Sequence, residues 1–334
     1  MTEVKNQEEV FKDFSKNGKD RQWRERKLKN IELANRLELL GYRSFERVYR
    51  CAEVLKFLER EDGTRKLYQA YFCKNKLCAL CNWRRSMKYS YQAELVVNEA
   101  IRRELKGRFL FLTLTIKNVK GEELNQTITE MGRGFNRLMK YKKVDKNMIG
   151  YLRATEVTYS KSRDDYHPHL HVLLFVKSSY FVGNDKNYIK QSDWVGLWQK
   201  AMKLDYEPRV DIRTVKLKVE HAESLQEKDG LKKAILETAK YPVKPFDITK
   251  DKDGNVMKLS EVKKLQITDD MMNGLHRKRQ IGFGKLFKEI KKELELDDLE
   301  NGNLIQTGEE KTETTAGKEI VAVWNWERSN YFIK

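Results

Sequence analysis

The sequence predicts an α+β protein: a central antiparallel sheet of the split βαβ type with helices on one face, preceded by an N-terminal helical and β region that binds zinc. Three observations predict it. From residue 108 onward the hydrophobic patterns run in the order β-α-β-β-α-β. All four cysteines fall between Cys51 and Cys81. The 334 residues are 40% hydrophobic and 10% aromatic, enough for a packed core, which excludes global disorder.

Taken in order, Glu25–Leu40 carries Leu28, Ile31, Leu33, Leu37 and Leu40 and then meets Gly41, a helix with a glycine stop. The block from Ser44 to Gly107 holds the cysteines and ends in a basic helix, Asn82–Leu105, with Ala93, Val96, Val97, Ala100 and Ile101 on its apolar side. Phe109–Ile116 is rich in β-formers and reads as a buried strand. Leu124, Ile128, Met131, Phe135, Leu138 and Met139 recur at helical spacing. Gly150–Ser160 and His169–Val176 read as a hairpin around the polar turn Lys161–Tyr166. Trp194, Val195, Leu197, Trp198 and Met202 mark a helix capped by Ser192 or Asp193, Arg209–Val215 a fourth strand, and residues 229–240 a further helix. In the usual four-stranded order the first and third strands are central, which seats the histidine strand beside Phe109–Ile116. The division expected is residues 1–107, a zinc- and DNA-binding region, residues 108–294, the domain built on the sheet, and residues 295–334, a polar, acid-rich tail.

Charge narrows the partners. Sixty-seven Lys and Arg against 50 Asp and Glu give +17, which favours a polyanion, nucleic acid first. Ribosome-associated and membrane-surface proteins share such a charge. Met1–Asp20 is polar and no run of 18 apolar residues occurs, so the expectation is a soluble, cytoplasmic protein without a membrane partner.

The sharpest motif is Tyr166-His-Pro-His-Leu-His-Val-Leu-Leu174, which holds three of the five histidines. On a strand the side-chain period is two, so His169 and His171 share one face while Leu170, Val172 and Leu174 enter the core. Two imidazoles so placed suit one divalent ion, and a phosphate-directed ion also wants oxygen. Glu156 on the preceding strand supplies it, unless that residue faces solvent on an edge strand. His167 is the other candidate ligand, although Pro168 can turn it away.

In Glu237-Thr-Ala-Lys-Tyr-Pro-Val-Lys244, Glu237 and Tyr241 are four apart and share a helix face, and Pro242 puts the tyrosine near the helix end. Its hydroxyl is a poor nucleophile at the usual pKa of about 10, and a nearby metal or a lysine, Lys240 or Lys244, could stabilise the phenolate. The four cysteines, Cys51, Cys73, Cys78 and Cys81, suffice for a tetrahedral zinc site, the alternative being buried free thiols. Arg84, Arg85 and Lys88 on the helix that follows are then expected to form a phosphate-binding surface.

With these residues in view, the chain resembles the replication initiators of small rolling-circle plasmids of Gram-positive bacteria, within the HUH endonuclease superfamily. The resemblance runs from about Tyr49 to Leu294. Phe111–Thr115, His167–His171 and Glu237–Lys244 resemble the three family motifs, in the subgroup with a single tyrosine and an upstream acid. Cys73–Cys81 with Asn-Trp-Arg-Arg, and Lys278–Gly284, resemble that subgroup too. The resemblance implies a nickase and strand transferase. His169 and His171 pair on Mg²⁺ or Mn²⁺, Tyr241 attacks to leave a 5′-phosphotyrosine and a free 3′-hydroxyl primer, and Glu237 activates water at termination. It also implies origin DNA, extruded as a hairpin, as substrate, and a host helicase and polymerase as partners. It leaves a homo-oligomer open. A transposase or relaxase of the same superfamily is the alternative enzyme, and a non-catalytic, zinc-stabilised DNA-binding regulator the alternative outside enzymes.

Overall fold

The computed structural model describes residues 9–15, 17–61, 63–182, 187–215, 231–236, 238, 259–298, 300–308 and 317–334. Its first elements are α1 (Trp23–Leu39), α2 (Phe45–Tyr49), β1 (Val54–Glu59), β2 (Arg65–Ala70) and α3 (Ala79–Arg103). Then come β3 (Arg108–Thr115), α4 (Gly121–Lys140), α5 (Lys142–Asp145), β4 (Met148–Ser160), β5 (Asp165–Val176), α6 (Gln191–Met202) and β6 (Val210–Val215). A helix at residues 231–236, here α7, is followed by α8 (Glu261–Gly274), β7 (Ile281–Lys285), α9 (Leu286–Glu293), β8 (Lys318–Asn325) and β9 (Asn330–Ile333). These elements form two compact units, Met1–Lys88 with Asn301–Lys334, and Tyr89–Glu300.

The first unit is built on an antiparallel sheet of order β2-β1-β8-β9. Residues 318–333, expected to be part of a polar tail, are two of its four strands, and β8 pairs with β1 from Val54↔Val323 to Glu59↔Lys318. The reason is visible in the alternation of Ile320, Ala322 and Trp324, all buried, which the acid-rich stretch before them obscures. Trp23 and Leu37 of α1, Phe57 of β1 and Tyr331 of β9 are also buried here.

The second unit carries the sheet that the sequence predicts. Its order is β6-β3-β5-β4-β7, antiparallel throughout, with β3 and β5 in the centre. The first four strands have the split βαβ order, and β7 adds an edge beside β4. Strand alternation sends Leu110, Leu112, Leu114, Leu170, Val172 and Leu174 to one face, against Met131, Phe135 and Leu138 of α4 and Trp194 and Trp198 of α6. Burying a side chain of this kind stabilises by roughly 1.5–3 kcal/mol. Phe109, Phe111, Leu152, Leu173 and Phe175 point the other way, against Val96, Val97 and Ala100 of α3, Ala234 and Ile235 of α7, and Phe287 and Ile290 of α9. Helices were expected on one face; they cover both, because the inner strands are apolar on both sides.

Two local expectations change. Asp193 lies inside α6 and accepts a hydrogen bond from the Lys190 backbone N–H (3.3 Å), so the helix starts at Gln191 and neither Ser192 nor Asp193 is its cap residue. The polar turn is shorter than Lys161–Tyr166, since β5 begins at Asp165. At the outer edge, a Cβ on Gly284 would collide with the Tyr151 ring, which explains a glycine in that strand.

Candidate metal centres

The first centre is assembled by the β4–β5 hairpin and its neighbour β3. Register pairs Glu156 with His169, Ala154 with His171 and Thr113 with His171, so all these side chains lie on one face. The His171 Nε2 is 3.1 Å and the His169 Nε2 3.4 Å from the same oxygen, Glu156 Oε2. One ligand atom from each residue lies within 4.8 Å of the others, which suits a divalent ion. β4 is flanked by β5 and β7, so Glu156 is not on an edge strand, and its side chain is 14% exposed.

The outer ring nitrogens have partners of their own. The His169 Nδ1 is 3.1 Å from the His167 carbonyl, which can only accept, so this nitrogen carries the proton. The His171 Nδ1 is 3.3 Å from Thr113 Oγ1, a hydroxyl that serves either tautomer. Burial raises the Glu156 carboxyl, but hydrogen bonds from the two imidazoles, with their charge, outweigh it and hold the group well below the usual carboxylate range. The centre is therefore an anion facing two basic nitrogens, a set that fits a divalent ion taking both nitrogen and oxygen, such as Mn²⁺.

His167 contributes its carbonyl, while its ring stacks on that of His169 (5.1 Å, 26°) and lies outside the converging trio. Burial lowers its pKa, reinforced by His169 and Arg163. Of the third motif, Glu237, Lys240, Tyr241 and Lys244 lie outside the described residues. The helix before them is described: Leu231, Ala234 and Ile235 pack into the core cluster that holds Phe111 and Ala154, the histidine face of the sheet.

The other tyrosines near the hairpin point elsewhere. Tyr159 and Tyr166 are register partners on the opposite face. Tyr166 is buried and donates to Asp270 Oδ2 (2.7 Å), and burial with that bond pushes its phenol far above the ordinary value. Tyr159 donates to Asp164 Oδ1 (2.8 Å) and is raised likewise, by burial first. Neither phenol is prepared to ionise.

The second centre is the cysteine cluster. Cys51, Cys73, Cys78 and Cys81 are all buried, and the sulfurs of Cys51–Cys81, Cys73–Cys81 and Cys51–Cys78 are each 3.6 Å apart. A tetrahedral zinc with bonds of about 2.3 Å separates its sulfurs by about 3.8 Å, so the four fit one ion. Backbone N–H groups donate to the sulfurs, Lys74 to Cys81 (3.2 Å), Cys81 to Cys78 (3.3 Å) and Cys73 to Cys51 (3.4 Å), as thiolates require. Burial opposes ionisation of Cys78, yet hydrogen bonds from the other three thiols pull it well below its ordinary value. Lys27, fully buried, donates to the carbonyls of Tyr49 (2.6 Å) and Cys51 (2.9 Å). Burial drops its pKa to about 8 against the pull of Cys51 and Glu53. Nothing in the sequence marked Lys27 as different from its neighbours.

The basic residues after the cluster are a correction. Arg84, Arg85 and Lys88 are 0%, 1% and 4% exposed and are not a phosphate-binding surface. Arg84 donates to the carbonyls of Leu304 and Ile305, Arg85 to those of Lys74 and Asn75, and Lys88 to that of Asn303. Their charges tie loop carbonyls together. A charged helix reads the same from sequence whether water or carbonyls surround it.

Residues 64–332 match the family of replication proteins. The chain is 51% identical to the "Protein rep" of Streptococcus pneumoniae serotype 2, over all of this chain and 98% of that one. It is 46% identical to the "Protein rep" of Lactiplantibacillus plantarum (97% and 99% covered) and 42% identical to that of Bacillus amyloliquefaciens (both fully covered). No solved structure gives a significant match.

Proposed function

The chain belongs to the family of replication proteins, and on that premise we propose that it initiates rolling-circle replication of a plasmid by nicking one strand of the origin. The observation that carries the nicking is the convergence of His169, His171 and Glu156 on one point. A purely structural pair of strands has no need of that arrangement.

Glu156, His169 and His171 would hold the divalent ion, Mg²⁺ or Mn²⁺, which when bound polarises the scissile phosphate. The Tyr241 hydroxyl oxygen attacks phosphorus and the bond to the 3′ oxygen breaks. The phenol loses a proton and the leaving oxygen gains one, giving a 5′-phosphotyrosine and a 3′-hydroxyl primer. Lys240 or Lys244 offsets the phenolate charge as the proton leaves. At termination Glu237 takes a proton from water as the water oxygen attacks phosphorus at the regenerated site and the bond to the 3′ oxygen breaks. The new 3′-hydroxyl then attacks the phosphotyrosine, and the bond from phosphorus to the Tyr241 oxygen breaks, which releases the protein. α7, which leads to these residues, packs on the histidine face, and that supports the placement of the tyrosine. The cysteine cluster takes zinc and stabilises the first unit.

No helix among the described residues is long and apolar enough to cross a membrane. We place the protein in the cytoplasm, working on origin DNA with host helicase and polymerase. The deciding experiment incubates the purified chain with supercoiled origin plasmid, with Mn²⁺ or with chelator, and sequences the 5′ end of the captured adduct. Metal-dependent nicking at one position supports the reading; undiminished nicking under chelation overturns the metal's part in it.

A further inference from the structure

Beside the histidine hairpin, β7 and α9 enclose a cleft of about 550 Å³ within the second unit. Five cations line it: Arg279, Lys285, Lys288, Lys291 and Lys292. Its acids are Glu289, Asp298 and Glu300, and two of these are engaged. Asp298 pairs with Arg279 (2.9 Å), and Glu300 accepts from the Gln280 backbone N–H (2.8 Å). Lys285 is also taken, by Asp145 (2.7 Å). Lys288 and Lys292 are exposed on α9, with no ion pair among the described residues. The apolar part of the wall is Phe283, half-buried, with the Lys291 ammonium 6.0 Å from its ring centre, and Leu296.

Position makes this cleft more than a basic patch. Ile281 is the register partner of Ala154, and the Thr155 N–H donates to the Gln280 carbonyl (2.8 Å). The pairing thus reaches Gln280, the neighbour of Arg279, opposite Thr155, the neighbour of Glu156. Arg279, Ile281, Phe283 and Lys285 alternate with Gln280, Gly282 and Gly284, so the cleft opens on the face that carries His169 and His171. It begins one strand from the metal ligands and runs away along β7. A volume in the range of small-molecule sites, Lys288 and Lys292 without an ion pair among the described residues, and an aromatic wall together suit a nucleotide chain.

We propose that the cleft between β7 and α9 is the subsite for the single DNA strand flanking the scissile phosphate. Lys288 and Lys292 meet its backbone phosphates, and Phe283 with Leu296 receives a sugar and base. Arg279 lies where the strand leaves the metal centre and exchanges Asp298 for a phosphate. This rests on the nicking reading for its substrate, but it is tested without cleavage.

The probe is a short fluorescent oligothymidine strand, and its anisotropy is followed against salt, in chelator, for the full chain. Each lost phosphate contact on a single strand flattens the log–log salt dependence by about 0.7. The pair Lys288→Gln with Lys292→Gln should therefore lower the slope by about 1.4 and weaken binding. The pair Lys106→Gln with Lys140→Gln, exposed lysines elsewhere in the same unit, should leave the slope as it was. Phe283→Leu should weaken binding with no change of slope. An unchanged slope in the Lys288 and Lys292 pair, or an equal fall in the control pair, overturns the subsite. Wild-type nicking of origin plasmid separates the failures. If the wild type nicks and the slope does not move, only the subsite is wrong. If the slope moves and the wild type never nicks, the cleft still binds a strand and the nicking reading is wrong.

Discussion

The two clusters of ligand-type residues are built on opposite plans. The cysteine cluster offers four sulfurs, all buried, each on loop or helix-start backbone whose N–H groups point inward. The hairpin cluster offers three ligand atoms from two rigid strands, with side chains 10–16% exposed. Four enclosed sulfurs saturate a tetrahedral ion and leave nothing for a substrate. Three ligands on one face of a sheet leave coordination positions open. The first arrangement suits an ion that only holds a fold together, and the second suits an ion that also meets a ligand. The two clusters should therefore fail differently.

The largest effect is expected from His171→Ala. It deletes a ligand from the open cluster and leaves the fold, since Leu170, Val172 and Leu174 keep their core positions. Nicking of supercoiled origin plasmid should fall by more than about a hundredfold, beyond the loss typical of an outer partner, while origin binding by gel shift stays within about twofold. A parallel loss of binding and melting temperature would make His171 structural and erase the contrast.

The same reasoning inverted applies to Cys78→Ser. Structural zinc sites contribute folding free energy directly, so this change should lower melting temperature and solubility by an amount readily seen in calorimetry. The wild-type chain should carry about one zinc per molecule, and brief chelation should stop nicking before that zinc is lost. If the protein purified reduced holds no zinc, the cluster is a set of buried thiols and the closed half of the comparison fails.

Much of this was legible in the sequence, and the parts that were not have identifiable reasons. β3, β5 and α4 follow from long, strong periodicities, and the split βαβ order with a central histidine strand follows from them. His169, His171 and Glu156 meet because strand alternation is rigid enough to read from spacing. β7 was hidden, since Ile-Gly-Phe-Gly-Lys has two residues disfavoured in strands and pairs only because Gly284 leaves room for Tyr151. β8 and β9 follow an acid-rich stretch, and no local pattern announces β1 as their partner across the length of the chain. Arg84 shows the plainest limit: acceptors from Leu304 and Ile305, more than two hundred positions away, turn part of an apparent DNA surface into core. Thr113 was part of a motif, but its bond to His171 needs the register of β3 on β5.

Glu156→Gln should act between these extremes. It removes the anionic ligand but keeps an oxygen, so nicking should survive at saturating Mn²⁺ with the midpoint of the metal titration raised about tenfold or more. It also carries a pH signature in metal-free protein. The Glu156 carboxyl is depressed on folding, so the stability it gives is fully present above its unfolded value near 4.5 and is lost only as pH falls through the lower folded value. The stability gap between wild type and Glu156→Gln should close as pH falls below about 4.5. An unchanged metal titration removes Glu156 from the ligand set.

The smallest effect is also the most discriminating, because it touches only the support of the open cluster. The His169 Nδ1 bonds a backbone carbonyl, which no substitution removes, whereas the His171 Nδ1 depends on the Thr113 hydroxyl. Thr113→Val keeps a β-branched side chain on β3 and deletes that partner. A ligating imidazole whose outer nitrogen loses its hydrogen bond is less basic and less well oriented, at a typical cost of about 10–100-fold in metal affinity or activity. The loss here should sit near the lower end, about tenfold, because strand register and the Phe111 ring, 5.5 Å from that of His171, still constrain the ring. It should appear at limiting Mn²⁺ and fade at saturation, and Thr113→Ser should recover most of it. Wild-type metal dependence in Thr113→Val would mean that the sheet alone orients His171, with no contribution from its outer hydrogen bond.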